Sequence, residues 1–394
     1  MPSRLLPSPS PFMVYLDYAA TTPVDPRAAE QMIHFLGPEG VFGNSASRTH
    51  RYGWEAAEAV ERSRQYVADL LTCDTDEIVW TSGATESDNL AIKGVAYAHA
   101  DRGRHIVTSA IEHKAVLDTC RFLESQGFEV SYLRPDAGGV IIPQQVEAAM
   151  RPNTILVSLM HVNNETGAIA DLDSIARIAH EHGAVFHTDA AQSASRLPLD
   201  MRRNRAHLVS LSGHKMYGPK GIGALFVRRD PRLRLQPQIH GGGHEWGIRS
   251  GTLPTHQIVG MGEAARLLSM ERDTENARVA DLSRKLLDRL MAIDDTIING
   301  DRERCVPGIV NVSFDAVDSE ALVLMLNEAA VSTGSACTSA SVEPSHVLIA
   351  MGLGEDRAHS ALRLSLGRFT TEEDIDRSVD EITGAVRELR DLTR

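Results

Sequence analysis

The chain has 394 residues, of which 42% are hydrophobic, 24% charged and 5% aromatic. This balance is that of a soluble globular protein, the length is enough for two domains, and a disordered chain, a collagen and a disulfide-dense miniprotein are excluded. Forty Lys and Arg against 53 Asp and Glu leave a formal charge of −13, a field that repels phosphate backbones and speaks against nonspecific nucleic-acid binding.

No run approaches the ~18 apolar residues of a membrane span. Cys73, Cys120, Cys305 and Cys337 lie far apart with no C-x-x-C pair. Neither a disulfide framework nor a zinc site is indicated, and no metal is expected. A reducing, cytoplasmic setting fits this usage.

Residues 1–12, MPSRLLPSPSPF, are rich in Pro and Ser and carry no apolar stretch. They predict a floppy extension rather than a secretory signal, with Met13 as an alternative start. Strand-like runs then alternate with helical patterns. The runs are Ile78–Thr81, His105–Ser109, Glu129–Leu133, Ile155–Met160, Val185–His187, Leu208–Ser212 and Gly223–Val227. Glu55–Leu71 reads as a helix, with Val60, Val67 and Leu71 on one face and a Glu58–Arg62 pair outside. Asp173–His182 reads as another, stopped by Gly183. Alternation of this kind predicts a parallel sheet covered by helices, with ligands at the carboxyl ends of its strands.

Beyond about residue 255 the pattern changes. A long helix over His256–Ile293 leads to a strand at Ile309–Phe314 and a helix at Ser319–Asn327. A Gly/Ser-rich loop at Thr333–Ser341, a strand at Leu362–Leu366 and a final helix follow. Thr370-x-x-Glu373 reads as the capping box of that helix. This half predicts a second, smaller α/β domain.

The polar clusters after the strands carry the chemistry, and each has a plain alternative when taken alone. Thr81-Ser82-Gly83-Ala84-Thr85-Glu86 opens a helix on small residues. It fits an anion site, or an ordinary turn capped by Thr. Lys215, in Ser212-Gly213-His214-Lys215, fits a lysine that condenses with a cofactor aldehyde beside its phosphate, or a solvated loop lysine. Asp189 fits a partner for a protonated pyridine nitrogen, with Gln192 three residues on; a cap and a surface amide is the alternative.

His113 and His161 follow strands and could each stack on a cofactor ring and move protons, but the chain has sixteen histidines, so each alone reads as structural first. Cys337 stands in a loop of small residues that leaves a thiol room to move. Cys73, Cys120 and Cys305 read as structural. Arg363, a charge inside an apolar strand, needs a partner: a substrate carboxylate or an internal ion pair.

Together the clusters resemble a cysteine desulfurase of the NifS/IscS type, within the class V aminotransferase family of pyridoxal-phosphate enzymes. The resemblance runs from Tyr15 to Glu373. It includes TSGATESDNLAIKG, EHKAVLDTC, MHVNNE, SGHKMYGPKGIGAL, HGGGHEWGIRSGT and TGSACTSA in order. It implies fold type I: a large domain with a mostly parallel seven-stranded sheet in an α/β/α sandwich, plus a smaller α/β domain. The implied division is a segment 13–24 packing with the small domain, a cofactor-binding domain 25–265 and a small domain 266–394 carrying the cysteine loop.

The resemblance also implies roles. Lys215 holds pyridoxal 5′-phosphate covalently, Asp189 pairs with the pyridine nitrogen and Gln192 with the ring oxygen. His113 stacks on the ring and moves protons. Thr85, Ser212, His214 and the backbone at Ala84 bind the phosphate, and Thr252 reaches it from the other subunit of a homodimer. Asn164 touches the cofactor and, with Arg363, positions the carboxylate of L-cysteine. Cys337 accepts the sulfur.

The acceptors implied are an iron–sulfur scaffold, with a transient 2Fe–2S contact through Cys337, or a tRNA-thiolation relay. Relatives of the IscS kind dock the scaffold through a C-terminal tail. This sequence stops at Arg394, so the expectation is either no scaffold docking of that kind or docking through another surface.

Overall fold

In the computed structural model, the described residues are 13–229, 233–333 and 344–392. Twelve strands are present among them: β1 Val14–Tyr15, β2 Ile78–Thr81, β3 His105–Ser109, β4 Glu129–Leu133, β5 Thr154–Ser158, β6 Val185–Asp189, β7 Leu208–Ser212, β8 Gly223–Val227, β9 Thr296–Ile298, β10 Ile309–Phe314, β11 Ala329–Ala330 and β12 Ala361–Ser365.

Seven of them form the central sheet, in the order β2-β8-β7-β6-β5-β3-β4. Only β8 runs against its neighbours. Strands β3, β5, β6 and β7 are buried along their whole length. That is why their sequences are continuous apolar runs rather than alternating ones.

Several strand ends differ from the sequence expectation: β5 begins at Thr154, and β12 runs one residue earlier, over Ala361–Ser365. Strand β5 stops at Ser158, and β6 continues through Asp189 because its ladder with β7 persists to the Asp189–Ser210 pair. Asp189 is therefore the last residue of a strand, not the second residue beyond one that ends at His187.

The second sheet, β12-β10-β9, is antiparallel, with Asn311 opposite Arg363. The short strand β1 pairs in parallel with β11, which brings the chain start to this half of the molecule. The helix Thr255–Leu290 serves both halves. Ile258, Met261, Ala265 and Leu268 pack into the core around the large sheet, while Val279, Leu282, Leu286 and Leu290 pack into the core around β10 and β12.

The final helix, Glu372–Leu392, is capped one residue later than expected. Thr371 Oγ1 accepts from the Asp374 amide at 3.2 Å, and the Asp374 carboxylate accepts from the Thr371 amide at 2.8 Å. Thr370 instead accepts from Gly367 N at 3.1 Å, closing the turn after β12.

Candidate active site

The carboxyl ends of β2, β3, β5, β6 and β7 open onto a cavity of about 490 Å³. The segment Ala19–Thr21 and Arg363 from β12 complete its wall. Ala84, Thr85, His113, Asn164, Asp189, Gln192, Ser212, His214, Lys215 and Arg363 all line this one space. Thr252 is exposed and lies outside the cavity of its own chain. Cys337 lies outside the described residues.

One wall is the start of the helix Ala84–Ala98. Its N-cap is Gly83, and no side chain caps it. The first-turn amides are thus open to an anion, and the helix dipole favours negative charge there. Gly83 has φ 153°. A Cβ on Gly223 would stand 2.6 Å from the Gly83 Cα, so small residues at both positions let the turn lie against β8.

Thr85, Ser212 and His214 face the same wall. Burial, with the Lys215 charge as a second cause, holds the His214 ring down to about 4, so the ring is neutral at neutral pH. Its Nδ1 lies 3.1 Å from Thr21 Oγ1. An uncapped helix start beside two hydroxyls and a neutral imidazole is a fitting cradle for a phosphate.

Lys215 sits in the short turn Gly213–Lys215 just after β7. Its Nζ donates to the carbonyls of Ala19 at 2.5 Å and Ala20 at 2.6 Å. Gln192 Nε2 donates to the same Ala19 carbonyl at 2.7 Å. The residues expected to meet the cofactor's aldehyde carbon and ring oxygen therefore converge on one short backbone stretch.

Asp189 is buried and accepts from the Ala191 amide at 2.8 Å. Burial pushes its carboxyl up, while that amide and the charges of His113 and Lys215 favour the ionised form. A protonated pyridine nitrogen would supply the close cation that the site otherwise holds at a distance. His113 caps the helix Lys114–Ser125, and its Nδ1 accepts from Ala115 N at 3.1 Å, which fixes the ring's direction. The uncapped helix, the amine, the buried carboxylate and the histidine together fit pyridoxal 5′-phosphate.

Arg363 is 1% exposed. It donates from Nη1 to the Asn164 carbonyl at 3.0 Å and from Nη2 to Asp17 at 2.8 Å. Its Nε has no hydrogen-bond partner. A buried donor left over in a cavity wall is a place for a carboxylate. Of the two sequence alternatives the internal ion pair is present, and it leaves the Nε without a hydrogen-bond partner.

Sequence reasoning missed Asp17, Asp88, Glu112 and Glu165. Glu112 accepts from Ser109 Oγ at 2.5 Å and from the Met160 amide, and burial pushes it up to about 8. Glu165 accepts from Ser345 Oγ at 2.5 Å, and burial pushes it up to about 7. Glu112 and Glu165 stood in the quoted motifs EHKAVLDTC and MHVNNE, in the loops after β3 and β5, where a buried acid can be suspected.

Of the other cysteines, Cys73 and Cys120 are buried, burial pushes the Cys120 thiol up to about 12, and Cys305 is half-buried. Among the described residues no group of three His, Cys, Asp or Glu is placed to hold a metal ion, and no helix is long and apolar enough to cross a membrane.

The class-V aminotransferase model matches residues 14–377. The chain belongs to the class-V aminotransferase family. It is 59% identical over 380 residues to "Cysteine desulfurase IscS" of Shewanella sp. strain ANA-3, covering 96% of this chain and 94% of that protein. A solved "NIFS-LIKE PROTEIN" superposes with a TM-score of 0.87 at 35% identity, covering 95% of this chain and 99% of that one. A structure described as SspA in complex with cysteine gives 0.81 at 41% identity, over 91% and 100% of the two chains. The cofactor of this class-V family, and of this chain, is pyridoxal 5′-phosphate. The mostly parallel seven-stranded sheet is that of fold type I.

Proposed function

We propose that the chain is a cysteine desulfurase that converts L-cysteine to L-alanine and leaves a persulfide on Cys337. The supporting observation is the single cavity in which Lys215, Asp189 and Arg363 meet, beside an uncapped helix start. Described residues on either side of the Cys337 segment are tied to the same region. Ser332 pairs through its backbone with Arg363 at 2.7 Å, and Ser345 donates to Glu165.

When bound, pyridoxal 5′-phosphate supplies an electron sink that makes the substrate Cα proton acidic and its Cβ–S bond labile. The chain does the rest. Ala84, Thr85, Ser212 and His214 would hold the phosphate, Asp189 would pair with the protonated ring nitrogen, and Gln192 would donate to the ring oxygen. Arg363 and Asn164 orient the substrate carboxylate, which fixes the Cα–H bond toward Lys215. Lys215 takes the Cα proton, and His113 moves protons at the ring face.

The Cys337 thiolate attacks the substrate sulfur. The Cβ–S bond breaks, an S–S bond forms, and a proton completes the methyl group of alanine. The sum is cysteine plus Cys337–SH giving alanine plus Cys337–S–SH, with no external oxidant or reductant.

The division at residues 24 and 265 and a cytoplasmic setting belong to the same reading. So does a homodimer in which Thr252 completes the partner's phosphate site, consistent with its exposure here. The persulfide then passes to an iron–sulfur scaffold, with a 2Fe–2S contact at Cys337, or to a tRNA-thiolation relay. The test is a single turnover with L-cysteine, scoring alanine and chain-bound persulfide. Equal amounts are expected. Cys337→Ser should keep the cofactor and form no persulfide, and sulfide release from that variant at the unchanged rate would overturn the assignment.

A further inference from the structure

Below the Asp189 end of β6 lies a polar chain that the proposed reaction does not use. Asp88, on the helix Ala84–Ala98, is 0% exposed, and neither of its carboxyl oxygens has a hydrogen-bond partner. Its Oδ1 stands 3.6 Å from His187 Nε2. His187, also fully buried, is held by Ser158 Oγ at Nδ1 (2.8 Å) and by Ser210 Oγ at Nε2 (2.9 Å). His187 and Asp189 are two residues apart on one strand, so their side chains share a face. Ser210 is the register partner of Asp189.

We propose that Asp88 is a positioning residue that ties the phosphate-side helix to the strand carrying Asp189, through His187 and Ser210. The inference rests on the reading of Asp189 as the ring-nitrogen partner. Asp88 stands on the helix whose first turn, at Ala84 and Thr85, faces the phosphate. The contact therefore references the two ends of the cofactor, its phosphate and its ring nitrogen, to each other.

The groups around Asp88 settle its charge. Burial is the first cause that raises the Asp88 carboxyl, and the acidic neighbours Asp189 and Glu112 add to it. The His187 ring is held down to about 3 by burial, so it is no counter-cation. The positive groups, His113 and Lys215, act on Asp189 instead. Burial raises both carboxyls, but the Ala191 amide and the Lys215 charge favour the ionised form of Asp189, whereas the acids beside Asp88 favour its protonated form. A neutral acid in this place fills the space between helix and sheet without adding a second negative charge under the ring.

The test compares Asp88→Ala and Asp88→Asn in the full-length enzyme. The readouts are pyridoxal-phosphate affinity of the apoprotein, the pH titration of the bound chromophore, and KM for cysteine. Asp88→Ala should weaken cofactor binding by about tenfold and shift the chromophore titration, with KM held, because the His187–Ser210 end of the chain loses its neighbour. Asp88→Asn, of the same size and uncharged, should restore most of the loss.

Should Asp88→Ala not fold, Asp88→Ser is expected to give the same shift. An Asn variant as impaired as the Ala variant overturns the neutral role. An Ala variant with lowered melting temperature but unmoved affinity and titration overturns the positioning role. Asp189→Asn is run alongside: an unmoved chromophore there defeats the reading of Asp189 itself, independently of Asp88.

Discussion

The guanidinium of Arg363 and the carboxylate of Asp17 meet at 2.8 Å, though 346 positions separate them in the chain. The pair holds a buried arginine in the cavity wall before any substrate arrives, and its Nε is left for an incoming carboxylate. Arg363→Ala should raise KM for cysteine by roughly tenfold to a hundredfold, the loss of a charge-assisted hydrogen bond worth ~1.5–3 kcal/mol. Asp17→Ala, which frees the arginine to swing, should raise KM less. Steady-state kinetics on both variants checks this, and an unchanged KM in Arg363→Ala removes that residue from the substrate site.

Lys215 is the amine nearest the place expected for the cofactor's reactive carbon. Lys215→Ala should lose the visible absorbance of the bound cofactor and all alanine production. An absorbance scan of the purified variant and an alanine assay decide it; wild-type turnover would refute the role.

Arg64 and Glu245 form a two-pronged ion pair at 2.8 and 2.9 Å, both side chains 3% exposed. Glu245 also accepts from the Trp80 amide at 2.7 Å. The pair fastens the loop that leads to Thr252 onto β2, and Arg249 adds a bond of 2.7 Å to Glu86. Glu245→Ala leaves the buried Arg64 with the exposed Glu61 at 3.2 Å as its remaining counter-ion and should cost about 1.5–3 kcal/mol. Denaturant unfolding measures it, and a midpoint within error of wild type would count against the pair.

Glu112 gives a stability effect with a defined sign. Burial raises its carboxyl from 4.5 to about 8 in the folded chain. The folded state therefore keeps a proton that the unfolded chain releases. The contribution is complete below pH ~4.5, falls as pH rises, and is gone above pH ~8. Glu112→Gln carries no such proton. Melting temperatures at several pH values should show wild type losing more than Glu112→Gln between pH ~5 and ~8. Parallel curves would mean that Glu112 is ionised in the folded state.

How much of this was legible in the sequence depends on distance along the chain. Strands such as His105–Ser109 and Leu208–Ser212 were legible because burial on both faces makes their residues uniformly apolar. The motifs after them were legible because strand ends of a parallel sheet collect polar residues at one edge. Asp17 and Asp88 were not, since an acid in a polar helix or turn looks solvated until remote elements cover it. The cap at Thr371 was misplaced by one because Thr370 and Thr371 offer the same hydroxyl, and only the turn after β12 decides between them. Cys337 stood out by its small neighbours, but it lies outside the described residues.

The helix Thr255–Leu290 threads both cores without a break. A single residue inserted near its middle would turn everything beyond it by about 100° and advance it by ~1.5 Å. One apolar stripe would then leave its core while the other stayed seated. The spacing between Leu268 and Val279 is thus a phase constraint, like the angle between two keys cut on one shaft. It sets how Arg363, on the far side, faces Lys215 on the near one.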